Sequence, residues 1–214
     1  MRTFVKFCGL RTVEAVRAVP AGGAAGFVID VPGSSRSLSV AEAGGLMEAV
    51  PPEAEAWAVV VEPTAELVHR LFDELGVDRV QVYGPVPGDL EFLEIHHLVP
   101  SVPISPAPGG PEPTVPPAED YPRIHLDAAG QPLPGGSGVR PDWETCAAIV
   151  DRHPGRKFVL AGGLSAENVA DALATVRPWG VDVSSGIEIA PGVKDLGRMH
   201  AFVAAVEEYE SKNA

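Results

Sequence analysis

Basic side chains are scarce in this sequence: 16 Lys and Arg stand against 29 Asp and Glu, a formal net charge of -13. So acidic a chain has no long-range attraction for nucleic acid or an anionic membrane, and neither is expected as a partner. Cysteine is scarcer still. Cys8 and Cys146 are too few for a disulfide framework or a zinc cluster. The histidines lack ligand spacing, so no metal site is expected. No apolar run reaches the length of a membrane span, and the stretch from Met1 to Lys6 holds no long signal-peptide core. A cytoplasmic protein is the expectation.

What is present is a hydrophobic fraction of 45% over 214 residues, enough for one domain, residues 1–214, with a sizeable core. Apolar runs of strand length alternate with segments of helical spacing, the pattern of a parallel sheet covered on both faces. Strands are expected at Thr3–Phe7, Ala25–Ile29, Ala56–Val61, Arg79–Val82, Arg123–Asp127, Lys157–Ala161 and Gly180–Val183. Helices are expected at Val13–Val19, Val40–Val50 with Ser39 as cap, Pro63–Leu75, Asp89–His97, Asp142–Asp151, Ala166–Thr175 and Asp195–Glu208. An eighth strand, Leu98–Ile104, is interrupted by Pro100 and Pro103, and the Pro/Gly-rich stretch from Ser105 to Pro117 has no room for a full helix. The count predicts an α/β fold, a (β/α)8 TIM barrel with a degenerate fifth β/α unit.

The stretch Phe158-Val159-Leu160-Ala161-Gly162-Gly163-Leu164-Ser165 runs from a strand through two glycines toward a helix that Ser165 is placed to cap. Glycines let backbone approach a ligand closely, and a helix start offers unpaired N–H groups at the positive end of its dipole. Val181-Asp182-Val183-Ser184-Ser185-Gly186 repeats the logic one strand later. Adjacent loops of this kind after strands seven and eight hold a phosphate in many barrels. Gly162, Gly163, Ser184, Ser185 and Gly186 are therefore the phosphate candidates.

Catalytic groups in such barrels lie at the C-terminal ends of strands. Strand one ends in Cys8 and strand six in Asp127, so a thiol and a carboxyl face each other across the mouth as a candidate acid/base pair. Cys8 also reads, on the residues alone, as a small buried hydrophobe. Asp127 is harder to explain as packing, because an unpaired carboxylate is costly to bury. Arg36 follows strand two, Gln81 and Tyr83 lie on strand four, and Asp182 on strand eight. Lys6 shares the face of Cys8. His125 shares the parity of Asp127 and reads as a satisfied core histidine, and Cys146 as core.

Taken together, the stretches Val5-Lys6-Phe7-Cys8-Gly9-Leu10, Ser35-Arg36, Gln81-Val82-Tyr83-Gly84, Leu126-Asp127, Gly135-Gly136-Ser137-Gly138, Ala161-Gly162-Gly163-Leu164, Asp182-Val183-Ser184-Ser185-Gly186-Ile187-Glu188 and Pro191-Gly192-Val193-Lys194-Asp195 resemble the phosphoribosylanthranilate isomerase family of tryptophan biosynthesis. The resemblance covers nearly the whole chain. It implies an Amadori rearrangement of N-(5-phosphoribosyl)anthranilate to the 1-deoxyribulose 5-phosphate derivative, with Asp127 as general acid at the ring oxygen and Cys8 as general base at C2′. It further implies Arg36 on the anthranilate carboxylate, Asp182 near the substrate amine, Gln81 and Tyr83 at the substrate, and no cofactor. A monomer or a homodimer fits equally. The sequence departs from the family pattern in three places. Tyr83 stands where His is usual, no lysine follows strand five's Val99-Pro100-Ser101, and Val139-Arg140 replaces the lysine that ends the glycine loop. These departures keep two alternatives open: another phosphosugar isomerase or epimerase, and a non-catalytic phosphate-ligand binder.

Overall fold

The computed structural model describes residues 2–90, 92–129 and 138–213. Eight parallel strands, β1 Phe4–Cys8, β2 Ala24–Ile29, β3 Glu55–Val61, β4 Arg79–Tyr83, β5 Leu98–Ile104, β6 Arg123–Ala128, β7 Lys157–Leu160 and β8 Gly180–Val183, follow one another around the sheet. Pairing of Lys6 with Ala24 on one side and of Lys6 with Asp182 on the other closes β1 against both β2 and β8. The (β/α)8 barrel expected from the alternation is the architecture found.

Helices α1 Val13–Arg17, α2 Val40–Met47, α3 Ala65–Leu75, α4 Phe92–His97, α5 Trp143–Arg152, α6 Val169–Val176 and α7 Leu196–Lys212 form the outer layer. Their starts follow local chemistry. Ser39 and Glu42 form a reciprocal capping box at α2, and Asp142 and Asp195 cap α5 and α7 by accepting from the backbone N–H groups of Thr145 and Arg198. Gly76, at φ +63°, ends α3 in the left-handed conformation that glycine adopts without strain. No helix joins β5 to β6, so the fifth unit is a strand plus loop as the Pro/Gly composition implies. Pro100 and Pro103 nonetheless sit inside β5. Each forfeits one N–H, and the ladder to β4 and β6 persists around them.

One expectation needs correction. Ser165 does not cap α6. The Asn168 side chain reaches back to accept from the Ser165 backbone N–H at 2.9 Å and donates to the Gly163 carbonyl at 2.8 Å, so the helix begins only at Val169. The glycine loop Gly135-Gly136-Ser137 lies outside the described residues.

The outer core, between sheet and helices, is apolar throughout, with Phe7, Phe27, Leu71, Ile124, Phe158 and Phe202 buried in it. The barrel interior is different. Because side chains alternate across each strand, residues two apart stack in layers down the axis. Phe4, Ala24, Trp57, Val99 and Val159 form the floor. Lys6, Gln81, His125 and Asp182, all buried, form a polar middle layer. Cys8, Val28, Tyr83 and Asp127 stand above it at the C-terminal ends of the strands.

Candidate active site

Most of the expected site residues meet around one cavity at the C-terminal mouth. Cys8, Tyr83, Asp127 and Asp182 line its walls; Gly162, Gly163, Ser184 and Ser185 line its rim. A larger cavity of about 180 Å³, between Trp179, Glu207 and Glu210, opens at the opposite end of the barrel and contains none of them.

The polar layer beneath the mouth sets its electrostatics. Asp182 Oδ2 accepts from Lys6 Nζ and from His125 Nε2, each at 2.9 Å. His125 Nδ1 faces Gln81 Nε2 at 3.3 Å and Ser101 Oγ at 3.2 Å, which assigns the Nε2–H tautomer with Gln81 donating to Nδ1. Burial opposes the charge on Asp182, yet Lys6 and His125 hold its carboxyl below the usual range. Burial likewise opposes the charge on Lys6, and Asp182 and Cys8 hold its ammonium above its ordinary value. Gly26 on β2 makes room for this cation, since a Cβ there would lie 3.1 Å from Nζ. Asp182 Oδ1 is buried without a partner among the described residues, on a residue that also borders the cavity.

On the walls, burial pushes the Cys8 thiol up, against the lowering pull of Lys6. Burial thus favours the neutral thiol over the thiolate. Asp127 accepts at Oδ1 from its neighbour's backbone, Ala128 N–H, at 2.8 Å and at Oδ2 from the Tyr83 hydroxyl at 2.7 Å. A thiol and a fixed carboxyl around one small space suit proton transfer to and from a single bound molecule.

The rim is built for close backbone approach. Gly162 and Gly163 have φ of +87° and +62°, and a Cβ on either would fall within 2.8 Å of the backbone at Val139 or Gly138. Gly186 does not line the cavity; a Cβ there would lie 2.0 Å from the Leu164 carbonyl, so its role is to let the two rim loops pack. Lys194, buried, donates to the Ser184 carbonyl at 3.0 Å and to Ser184 Oγ at 3.2 Å, fixing the second loop from below.

Two expected ligand contacts are committed elsewhere in this structure. Gln81 is fully buried one layer below the cavity, bonded to His125 and Ser101 rather than facing a ligand. Arg36 donates from Nε and Nη2 to the two oxygens of Glu188 at 2.8 and 2.7 Å, and Lys194 donates to the same carboxylate at 2.7 Å. The cations expected to offset the global negative charge, Lys6 and Arg36, each have a carboxylate partner. Sequence alone does not single out Glu188, Lys194 or the His125–Asp182 link. Pro191-Gly192-Val193-Lys194-Asp195 was the available signal for Lys194. His125 carried no signal beyond its parity with Asp127.

Comparison with known proteins agrees with the resemblance seen in the residues. The family model for N-(5'-phosphoribosyl)anthranilate (PRA) isomerase matches residues 5–205. An N-(5'-phosphoribosyl)anthranilate isomerase of Chelativorans sp. is 34% identical, with 99% of each chain aligned. Among solved structures, the phosphoribosyl anthranilate isomerase of Thermus thermophilus superposes with a TM-score of 0.77 at 31% identity, over 97% of this chain and 99% of that one. A second isomerase, crystallised with reduced 1-(o-carboxyphenylamino)-1-deoxyribulose 5-phosphate, gives 0.72 at 28% identity over 96% and 99%.

Proposed function

The chain belongs to the phosphoribosylanthranilate isomerase family, and from that membership we propose how its own residues divide the reaction. It is an isomerase of tryptophan biosynthesis, converting N-(5-phosphoribosyl)anthranilate to 1-(2-carboxyphenylamino)-1-deoxyribulose 5-phosphate. The observation that carries the assignment of roles is that Cys8 and Asp127, from opposite walls, border one cavity whose rim is the paired small-residue loops.

The substrate's phosphate lies against Gly162, Gly163, Ser184 and Ser185, where backbone without side chains admits close approach. Asp127 protonates the furanose ring oxygen, the C1′–O bond breaks, and the nitrogen lone pair forms an iminium. The iminium N–H meets Asp182 Oδ1, an acceptor with no partner among the described residues. Cys8, acting as the thiolate, removes the C2′ proton, which the adjacent iminium has acidified, and the enolamine tautomerises to the ketone as C1′ gains a proton and the 2′-hydroxyl loses one. Burial, with the Asp182 charge, opposes the Cys8 thiolate; Lys6 below it, Lys194 and the iminium charge favour it. Arg36 takes the anthranilate carboxylate, and Glu188 holds the same planar fork before substrate arrives. The residues ask for no cofactor. The enzyme acts as one barrel domain, residues 1–214, in the cytoplasm, as a monomer or homodimer; no described helix is long and apolar enough to cross a membrane.

The test is the decay of phosphoribosylanthranilate fluorescence. Cys8→Ala and Asp127→Asn are each expected to lower kcat by roughly 10²- to 10⁴-fold with the fold intact. Wild-type turnover in either variant would remove that residue from the mechanism.

A further inference from the structure

Tyr83 stands where the family usually has histidine, and on the cavity wall its hydroxyl is bonded to Asp127. It donates to Asp127 Oδ2 at 2.7 Å while the Ala128 N–H donates to Oδ1 at 2.8 Å, so two donors pin the plane of one carboxyl. The phenol ring is itself held. The imidazole of His125 meets it edge-on, with centroids 5.9 Å apart and planes at 77°, and the Tyr83 carbonyl accepts from the Glu62 N–H at 2.8 Å. His125 in turn is locked through Asp182 to Lys6. A single chain of contacts thus runs from the buried polar layer to the carboxyl that gives up its proton.

We propose that Tyr83 is a positioning residue acting through Asp127, and that its hydrogen bond strengthens as Asp127 gives up its proton. This rests on Asp127 being the general acid. Each carboxyl oxygen has two acceptor positions, so a protonated Asp127 keeps both donors while its proton points into the cavity. When that proton moves to the ring oxygen and the C1′–O bond breaks, Asp127 is left a carboxylate facing a phenol O–H. A neutral hydrogen bond becomes a charge-assisted one, about twice as strong, formed along the reaction coordinate rather than in the ground state. Tyr83 remains a donor throughout, because burial, with Asp127 beside it, raises its own ionisation well above the usual phenol value. A contact of this kind affects kcat and leaves substrate affinity alone.

The experiment compares wild type with Y83F, D127N and the double variant in the fluorescence assay. Phe keeps the ring against His125 and deletes only the hydroxyl. Y83F is expected to lower kcat about 10- to 100-fold, the loss of one charge-assisted hydrogen bond, with KM held within about twofold. In the D127N background the same change is expected to have no further effect. A raised KM with unchanged kcat would make Tyr83 a substrate contact and overturn the proposal. So would a Y83F loss that multiplies with that of D127N. Near-normal turnover in D127N would instead remove the general-acid reading itself, so the two failures are told apart.

Discussion

Two ion pairs sit on the axis of one barrel, and they are built to opposite ends. At the floor, Arg123 donates from both terminal nitrogens to the two oxygens of Glu55, at 2.6 and 2.9 Å, and Trp57 Nε1 adds a third donor at 2.7 Å. Trp179, Phe4 and Trp57 surround the guanidinium at 4.7, 5.5 and 5.8 Å. One layer up, Lys6 and Asp182 are buried more completely, at 0% and 5% side-chain exposure, yet Asp182 keeps one oxygen without a partner among the described residues. The planar fork of arginine engages both oxygens of a carboxylate; the point charge of lysine engages one and leaves the other open. At the floor that closure supports the fold. Below the mouth, the open position is the one the proposed mechanism gives to the iminium N–H. Lys6 also lies 5.6 Å from the Trp57 ring, so the two clusters touch while serving different ends.

The largest effect is expected at Asp182. D182N leaves the Lys6 ammonium buried against a neutral amide, and removing one partner of a buried pair costs about 4 kcal/mol. Urea unfolding should register that loss, and turnover should fall with it. Acid sharpens the same point. Asp182 is held below the ordinary carboxylate range, so the stability it contributes is present above its unfolded value of about 4 and is lost as pH falls through its lower folded value. D182N should therefore show a flatter decline of stability on acidification than wild type. Equal slopes would mean that the mouth pair contributes nothing the floor pair does not.

R123M tests the floor alone. Glu55 keeps the Trp57 donor but loses its cation, at an expected cost of about 3 kcal/mol, with kcat and KM unchanged because no floor residue borders the cavity. A drop in kcat at undiminished folded fraction would show that the floor sets the geometry of the mouth, contrary to the division drawn here.

Much of this arrangement was legible in the chain. The alternation predicts the barrel, Ser39 and Glu42 announce the start of α2, and Cys8 and Asp127 at strand ends point to opposed walls. What sequence conceals is closure. His125 and Asp182 are 57 residues apart, and Arg36 and Glu188 are 152 apart; only the ring of strands brings each pair together. Parity says that His125 faces the interior, but not which strand it meets across it. Side-chain competition is hidden for the same reason. Ser165 has the right chemistry for a cap, and Asn168 takes the position because its amide reaches both Ser165 and Gly163. Gln81 has the right parity for a substrate contact and stands one layer too deep.

The smallest effect is expected at the edge of the floor. Lys157 Nζ lies over the face of Trp179 at 4.9 Å, beyond the Arg123–Glu55 pair. It is half-buried and cationic on the same ring, so inspection alone could credit it with a similar share of the stability. Yet it makes no ion pair with Glu55, and a cation over an aromatic face near solvent contributes only about 0.5–1 kcal/mol. K157A should cost no more than that in urea unfolding and leave turnover untouched. A loss comparable with that of R123M would mean that the aromatic faces, rather than the bidentate pair, hold the floor together. The contrast between an arginine that engages both carboxylate oxygens and a lysine that engages one would then no longer explain why one end of the barrel is structural and the other catalytic.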